Sequence, residues 1–213
     1  MSVVEDFVTN TIKEVRALAS VCKYDGRPYL FSDEYDMEWK SGEKFRRGYM
    51  CVKYAVSAIT KPKRICEIGV CTGIGAIAML SASPEAEYVG VDNLNEETMR
   101  NDSFVARALE QMLKMNFKAT VIVDDSQKME ALPFPKYDLI HVDGCHTREA
   151  CRHDVTLAWH ALNDDGWILV DDGRDVFVAT GTFEALANLP GGNVYWGYFE
   201  DTTGSILIHK RRS

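Results

Sequence analysis

Apolar residues recur along this chain with two different periods, and the switch between them lays out its elements. Val4, Phe7, Val8, Ile12, Val15 and Leu18 fall three or four apart, which predicts an amphipathic helix over residues 3–22. From Tyr24 to Lys40 no period holds. Aromatics (Tyr24, Tyr29, Phe31, Tyr35, Trp39) alternate there with acids (Asp33, Glu34, Asp36, Glu38). Such a stretch reads either as a surface loop anchored by its aromatics or as a lid over a substrate. Ser41 suits a helix N-cap. Phe45, Tyr49, Val52, Val56 and Ile59 then mark a second helix, which Pro62 stops.

From Arg64 the pattern alternates strand and helix. Strands are expected from Arg64 to Ile68, Tyr88 to Asp92, Ala119 to Val123, Tyr137 to Val142 and Trp167 to Val170. Helices are expected at about Gly75 to Ser81, Ser103 to Met115, Thr147 to Leu162 and Phe183 to Leu189. Alternating units imply a parallel sheet with helices on both faces. Two last strands, from Val194 to Phe199 and Ser205 to His209, are joined by the hairpin-length turn Asp201-Thr202-Thr203-Gly204. The class is therefore α/β: a doubly wound, mostly parallel sheet with one antiparallel strand and N-terminal helices. Residues 1–63 supply those helices and the candidate lid, and 64–213 the core, as one structural domain overall.

The most informative stretch is Ile65 to Gly75, where an apolar strand ends in an acid and three glycines follow. Glycines let a ligand approach the backbone, and the next helix offers free amides and a positive dipole end. Two frames compete. Counting from Gly73, the run Gly-Ile-Gly-Ala-Ile-Ala is close to a dinucleotide fingerprint. In that fingerprint the first glycine follows the strand directly, and Gly73 comes too late after Ile68. Counting from Glu67, the run is Glu-x-Gly-x-x-x-Gly-x-Gly, with Gly69 and Gly73 on time.

Composition narrows the setting. The chain has 213 residues, 46% hydrophobic, enough for one domain with a substantial core. No apolar run approaches the roughly 20 residues of a membrane span. Residues 1–10 carry acids and no basic cluster, unlike a signal peptide. Six cysteines form no C-x-x-C pair, which reads as reduced thiols of a cytoplasmic protein. A net charge of −8 and a pI of about 5.2 argue against nucleic acid as a partner.

Ligands of a doubly wound sheet sit at the carboxyl ends of its strands, and each expected parallel strand ends in an acid. They are Glu67; Asp92; Asp124 and Asp125 with Ser126; Asp143 with His146; and Asp171 with Asp172. Asp92 can accept two hydrogen bonds from a diol. Asp143, Asp171 and Asp172 would repel one another unless a cation sat between them, and oxygen ligands suit Mg²⁺ or Ca²⁺.

The frame from Glu67 resembles the first motif of class I S-adenosylmethionine (SAM) methyltransferases, and the element order from Arg64 to the C-terminus resembles their seven-stranded, Rossmann-like fold. The resemblance implies that Glu67, Gly69 and Gly73 form the cofactor loop and that Asp92 is the ribose acid. It further implies that Asp125 and Ser126 read the adenine edge, with Asp124 as an alternative. The segment Asp138-Leu139-Ile140-His141-Val142-Asp143-Gly144-Cys145-His146, followed by Gly166 to Asp172, is most similar to macrocin-type sugar O-methyltransferases and cephalosporin hydroxylase-like proteins. There an Asp, a His three residues on and an acid pair after the next strand form a metal site. One departure stands: the first acid of the pair is often Glu in relatives, and Asp171 is shorter.

The resemblance thus implies a SAM-dependent O-methyltransferase using Mg²⁺ or another divalent cation at Asp143, Asp171 and Asp172. His146 is the candidate base, since an imidazole of ordinary pKa can take a hydroxyl proton. His141, His153 and His160 read as structural or surface residues. The acceptor would be a small hydroxylated molecule; oligomeric state is open, a homo-oligomer included. Competing readings are a cephalosporin hydroxylase-like enzyme, a SAM-binding protein without turnover, and a nicotinamide enzyme.

Overall fold

Seven strands form one sheet in the computed structural model, which describes residues 3–22, 24, 50–94, 103–134, 136–189, 194–199 and 203–211. They are β1 (Arg64–Ile68), β2 (Glu87–Asp92), β3 (Lys118–Val123), β4 (Tyr137–Val142), β5 (Leu162–Val170), β6 (Val194–Phe199) and β7 (Ser205–Lys210). Their order is β3-β2-β1-β4-β5-β7-β6. The first five are parallel, and β7 runs antiparallel to both β5 and β6. The chain winds outward from β1 to β3, then crosses back to β4 on the other side of β1. That reversal opens a crevice between the ends of β1 and β4, where such sheets bind ligands.

Helices cover both faces. On one face lie α1 (Val3–Val21), α2 (described over 50–60), α3 (Ile74–Ala82) and α4 (Ser103–Lys114). Val8, Val15, Val52, Val56, Leu80 and Met112 pack there with Ile65, Tyr88 and Leu139 of the sheet. On the other face lie α5 (Arg148–Ala161) and α6 (Val176–Asn188), with Val155, Ala158 and Ala185 against Cys66, Ile68, Ile140 and Val170. Strand alternation explains the split: Ile65 faces one layer, and Cys66 and Ile68 face the other. Strands buried on both faces read as continuous apolar runs. A polar residue inside one therefore needs a partner.

Hydrogen bonds carry the strand pairing beyond the strand ends and hold the acids on one edge. Gly69 donates to the Val91 carbonyl at 2.9 Å, Asp124 to Asp92 at 3.0 Å, Asp143 to Ile68 at 2.9 Å and Asp171 to Val142 at 3.0 Å.

Two elements start several residues earlier than their periodicity suggests. β5 begins at Leu162, because Asn163 to Gly166 are polar or small yet Leu162 still pairs with Tyr137 across an irregularity in register. α6 begins at Val176, capped by the Asp175 side chain, which accepts from the Phe177 amide at 2.8 Å. Val176 and Phe177 are exposed, so its first turn carries no core period. Ser41, Phe45, Tyr49, Asp201 and Thr202 lie outside the described residues, as does the Tyr24–Lys40 segment beyond Tyr24 itself. Tyr24 stacks on Tyr54 at 5.1 Å and shares a hydrogen bond with the Ser81 hydroxyl at 3.1 Å. Among the described residues no helix is long and apolar enough to cross a membrane.

Candidate active site

The loop after β1 turns back under the loop after β4. Gly69 has φ +87°, and a Cβ there would fall 2.0 Å from the Asp143 carbonyl oxygen, so only glycine fits. Gly73, at φ +72°, opens α3. Asp92 reaches across from β2. Its Oδ2 accepts from the amides of Val70 at 2.9 Å and Cys71 at 2.8 Å, and its Oδ1 from Leu94 at 2.8 Å. Loop amides that would otherwise cradle a phosphate are thus bound to a carboxylate. The Asp92 charge would repel an anionic pyrophosphate, whereas it would attract a ribose diol or a sulfonium. Burial pushes the Cys71 thiol up to about 11, which leaves it un-ionised and not a nucleophile at neutral pH.

Glu67 points the other way, into the core. It is 1% exposed, and His141 Nδ1 lies 2.7 Å from its Oε1. The Tyr88 hydroxyl donates to its other oxygen. Glu67 and His141 are register partners on adjacent strands, which brings them together. A Cβ on residue 75 would lie 2.4 Å from Oε1, so Gly75 makes room for this carboxylate. Burial and then the Glu67 charge hold the Tyr88 hydroxyl well above its ordinary pKa, so it stays a donor. With both oxygens engaged inside the fold, Glu67 braces the base of the loop.

At the end of β3, Asp125 caps the short 3-10 turn Ser126–Lys128, accepting from the Gln127 amide at 3.1 Å. Its ion pair with Lys128, at 3.0 Å, lowers its pKa. The Ser126 carbonyl lies 3.0 Å from His153 Nε2, and Gln127 Nε2 donates to buried Asp154 at 2.8 Å. Helix α5 thereby fixes this turn, and Asp124 beside it is exposed.

Two overlapping sets of donor atoms gather at the ends of β4 and β5. Asp143, His146 and Asp172 each place one within 4.8 Å of the others, and so do His141, Asp143 and Asp171. His146 Nε2 is 3.2 Å from Asp172 Oδ2, with the two side chains 50% and 26% exposed. Burial and then the neighbouring Asp171 charge raise the Asp172 carboxyl. Asp172 has φ +52°, an uncommon backbone for a non-glycine residue, found often at functional sites.

Asp171 stands differently. The Lys53 ammonium lies 2.8 Å from its Oδ2, and the Thr203 hydroxyl donates to its Oδ1 at 2.8 Å. Burial alone would push this carboxyl up. The Lys53 charge, with the His141 ring, outweighs that and holds it well below the usual carboxylate range. The charge balance expected of a bound cation is met at Asp171 from inside the chain. The Asp143 and Asp172 carboxylates still fit a divalent cation in chemistry, with the His146 imidazole beside them.

Sequence reasoning missed Lys53, Tyr88 and Thr203, and gave His141 no specific role. For His141 a signal existed: it lies one residue before the end of its strand, as Glu67 does in the neighbouring strand. For Lys53 no local signal existed, because its partner is 118 residues away.

Comparison with known proteins follows the same lines. A family model described as a methyltransferase domain matches residues 66–173, just over half of the chain. No curated protein matches it in sequence. Among solved structures it is similar to TomG, an O-methyltransferase of Streptomyces achromogenes involved in tomaymycin synthesis, solved with SAM. That match has 16% identity, TM-score 0.60, and covers 93% of this chain and 99% of that one. A Staphylococcus aureus protein described as a putative caffeoyl-CoA O-methyltransferase matches at 15% identity and TM-score 0.62, over 87% and 95%. A Bacillus cereus O-methyltransferase in complex with SAH matches at 14% and 0.58, over 99% and 98%.

Proposed function

Because this chain belongs to the methyltransferase-domain family and has the class I SAM methyltransferase fold, we propose that it transfers a methyl group from SAM to a hydroxyl of a small molecule, with a divalent cation such as Mg²⁺ at the ends of β4 and β5. The observation that carries this reading is the Asp92 carboxylate on the Val70 and Cys71 amides. It disfavours a phosphate in the loop, and with it a nicotinamide cofactor, and suits a ribose and a positively charged sulfur.

When bound, SAM supplies an electrophilic methyl group and the cation supplies positive charge beside the acceptor oxygen. The chain's own task is alignment and electrostatics, because methyl transfer is an in-line displacement. Gly69 and Gly73 give the cofactor access to the backbone, Asp92 meets its ribose, and the Asp125–Ser126 turn meets its adenine. Asp143, Asp171 and Asp172 make the negative pole of the cation site, with Asp143 and Asp172 toward the ion. His146, half-exposed beside Asp172, accepts the acceptor's proton. The O-methyltransferase neighbours, one tied to tomaymycin synthesis, support a small hydroxylated acceptor. Six free thiols suit a reducing, cytoplasmic setting.

The test is a methyl-transfer assay with labelled SAM and a panel of catechols, phenols, sugars and amines, with and without EDTA. We expect transfer to a hydroxylated acceptor, lost in EDTA while SAM stays bound. Transfer to amines alone would replace the O-methyl reading, and full activity in EDTA would remove the cation from it.

A further inference from the structure

We infer that Lys53 is an internal counter-ion that keeps Asp171 out of the metal ligand set, leaving Asp143 and Asp172 as the carboxylates that hold the ion. The inference rests on the cation reading above and deepens it.

Lysine is almost never fully buried unless paired. Lys53 is 0% exposed, on the part of α2 that packs against the sheet, and its ammonium meets Asp171 at 2.8 Å. The Thr203 hydroxyl, just before β7, takes the other Asp171 oxygen. Each oxygen therefore already has a donor fixed by a separate element. The next residue turns away: the left-handed backbone at Asp172 sends its carboxylate to the half-exposed His146. The two adjacent acids at the end of β5 are thus sorted, one inward to an ammonium and one outward to the crevice.

A rival set, His141 with Asp143 and Asp171, has the right spacing. Its imidazole bonds Glu67 through Nδ1 at 2.7 Å and keeps a buried Nε2 without a hydrogen-bond partner among the described residues, so what bars an ion from this set is the ammonium at Asp171. A dication on Asp171 would share that carboxylate with a buried ammonium, where like charges repel far more strongly than in water. Lys53 bonds Asp171 and its charge also reaches Asp172, so it acts on the ion through these carboxylates and is a positioning residue.

The experiment is a Mn²⁺ titration read by the electron paramagnetic resonance of free Mn²⁺, with Mg²⁺ competition. The main variant is the neutral pair Lys53→Met with Asp171→Asn, which removes both buried charges together and leaves the local net charge unchanged. We expect its Mn²⁺ affinity to stay within about fivefold of wild type, whereas Asp143→Asn and Asp172→Asn lose more than about tenfold, at or beyond the scale of changes around a metal site. Lys53→Met alone frees Asp171, and where it folds it should bind Mn²⁺ more tightly than wild type. A loss beyond fivefold in the neutral pair overturns the inference, since Asp171 would then be a ligand, and leaves the cation reading intact. A wild type without Mn²⁺ binding whose Lys53→Met variant gains it overturns the cation reading and, with it, the assignment of the ion to Asp143 and Asp172, and keeps only the counter-ion role of Lys53. Binding by neither protein overturns both.

Discussion

Two tiers of carboxylates end the parallel strands, and they have opposite surroundings. Glu67 and Asp171 are 1% and 3% exposed, and each has both oxygens satisfied by the chain: His141 and Tyr88 for one, Lys53 and Thr203 for the other. Asp92, Asp143 and Asp172 are only partly buried, at the carboxyl ends of β2, β4 and β5. The same residue type at equivalent strand ends thus does two jobs, and depth decides which. Charges held below the surface, with partners, make a frame that fixes where the strand ends lie. Charges one step outward are partly solvated at the carboxyl edge of the sheet, where Asp92 also holds the loop amides.

A single substitution should cost most stability at the inner tier. Lys53→Ala leaves Asp171 buried without its cation, and such a loss costs about 3–5 kcal/mol of stability. Urea unfolding at pH 7 measures it, and a loss below about 1 kcal/mol would mean that the pair is not buried as described. The sign with pH follows. Asp171 is held below its usual 3.8, so its contribution is present above that value and lost as pH falls through the folded pKa. The difference between wild type and variant should therefore shrink in acid.

An outer-tier change should cost rate instead. His146→Ala should keep fold, SAM and metal binding and lower kcat by about 10²-fold, the scale of positioned acid–base catalysis. Steady-state kinetics across pH checks this. A wild-type rate with an unchanged acidic limb would make His146 a helix-end residue only.

Asp154 sharpens the rule, because it is buried without a full counter-charge. Its partner is the neutral Gln127 amide, and burial raises its carboxyl to about 6. A raised carboxyl contributes stability below the unfolded value and loses it as pH rises through the folded one. Asp154→Asn should therefore gain about 3 kcal/mol over wild type at pH 8, and the gain should vanish below about pH 4. Thermal melts at both pH values test it, and a pH-independent difference would show that Asp154 carries no such penalty.

The outer tier was legible in the sequence because strand position alone locates it. β4 and β6 run over the expected residues, and Asp92, Asp143 and Asp172 sit where their strands end. The inner tier was largely hidden. Lys53 reads as one polar residue beside Val52 on an amphipathic helix, and its burial is decided by tertiary packing. The start of α6 was hidden for the opposite reason, since exposed Val176 and Phe177 carry no core period. Three acids at the strand ends did imply a need for positive charge. Whether a lysine or a metal meets it at Asp171 depends on distances that only the fold supplies.

The most direct test of the account is calorimetric titration of SAM and of NAD into wild type and Asp92→Ala. We predict one SAM site, no NAD site, and SAM affinity at least about tenfold weaker in the variant, or about 1.4 kcal/mol for a lost charged hydrogen bond. NAD binding in place of SAM, or SAM affinity unchanged in Asp92→Ala, would contradict the account.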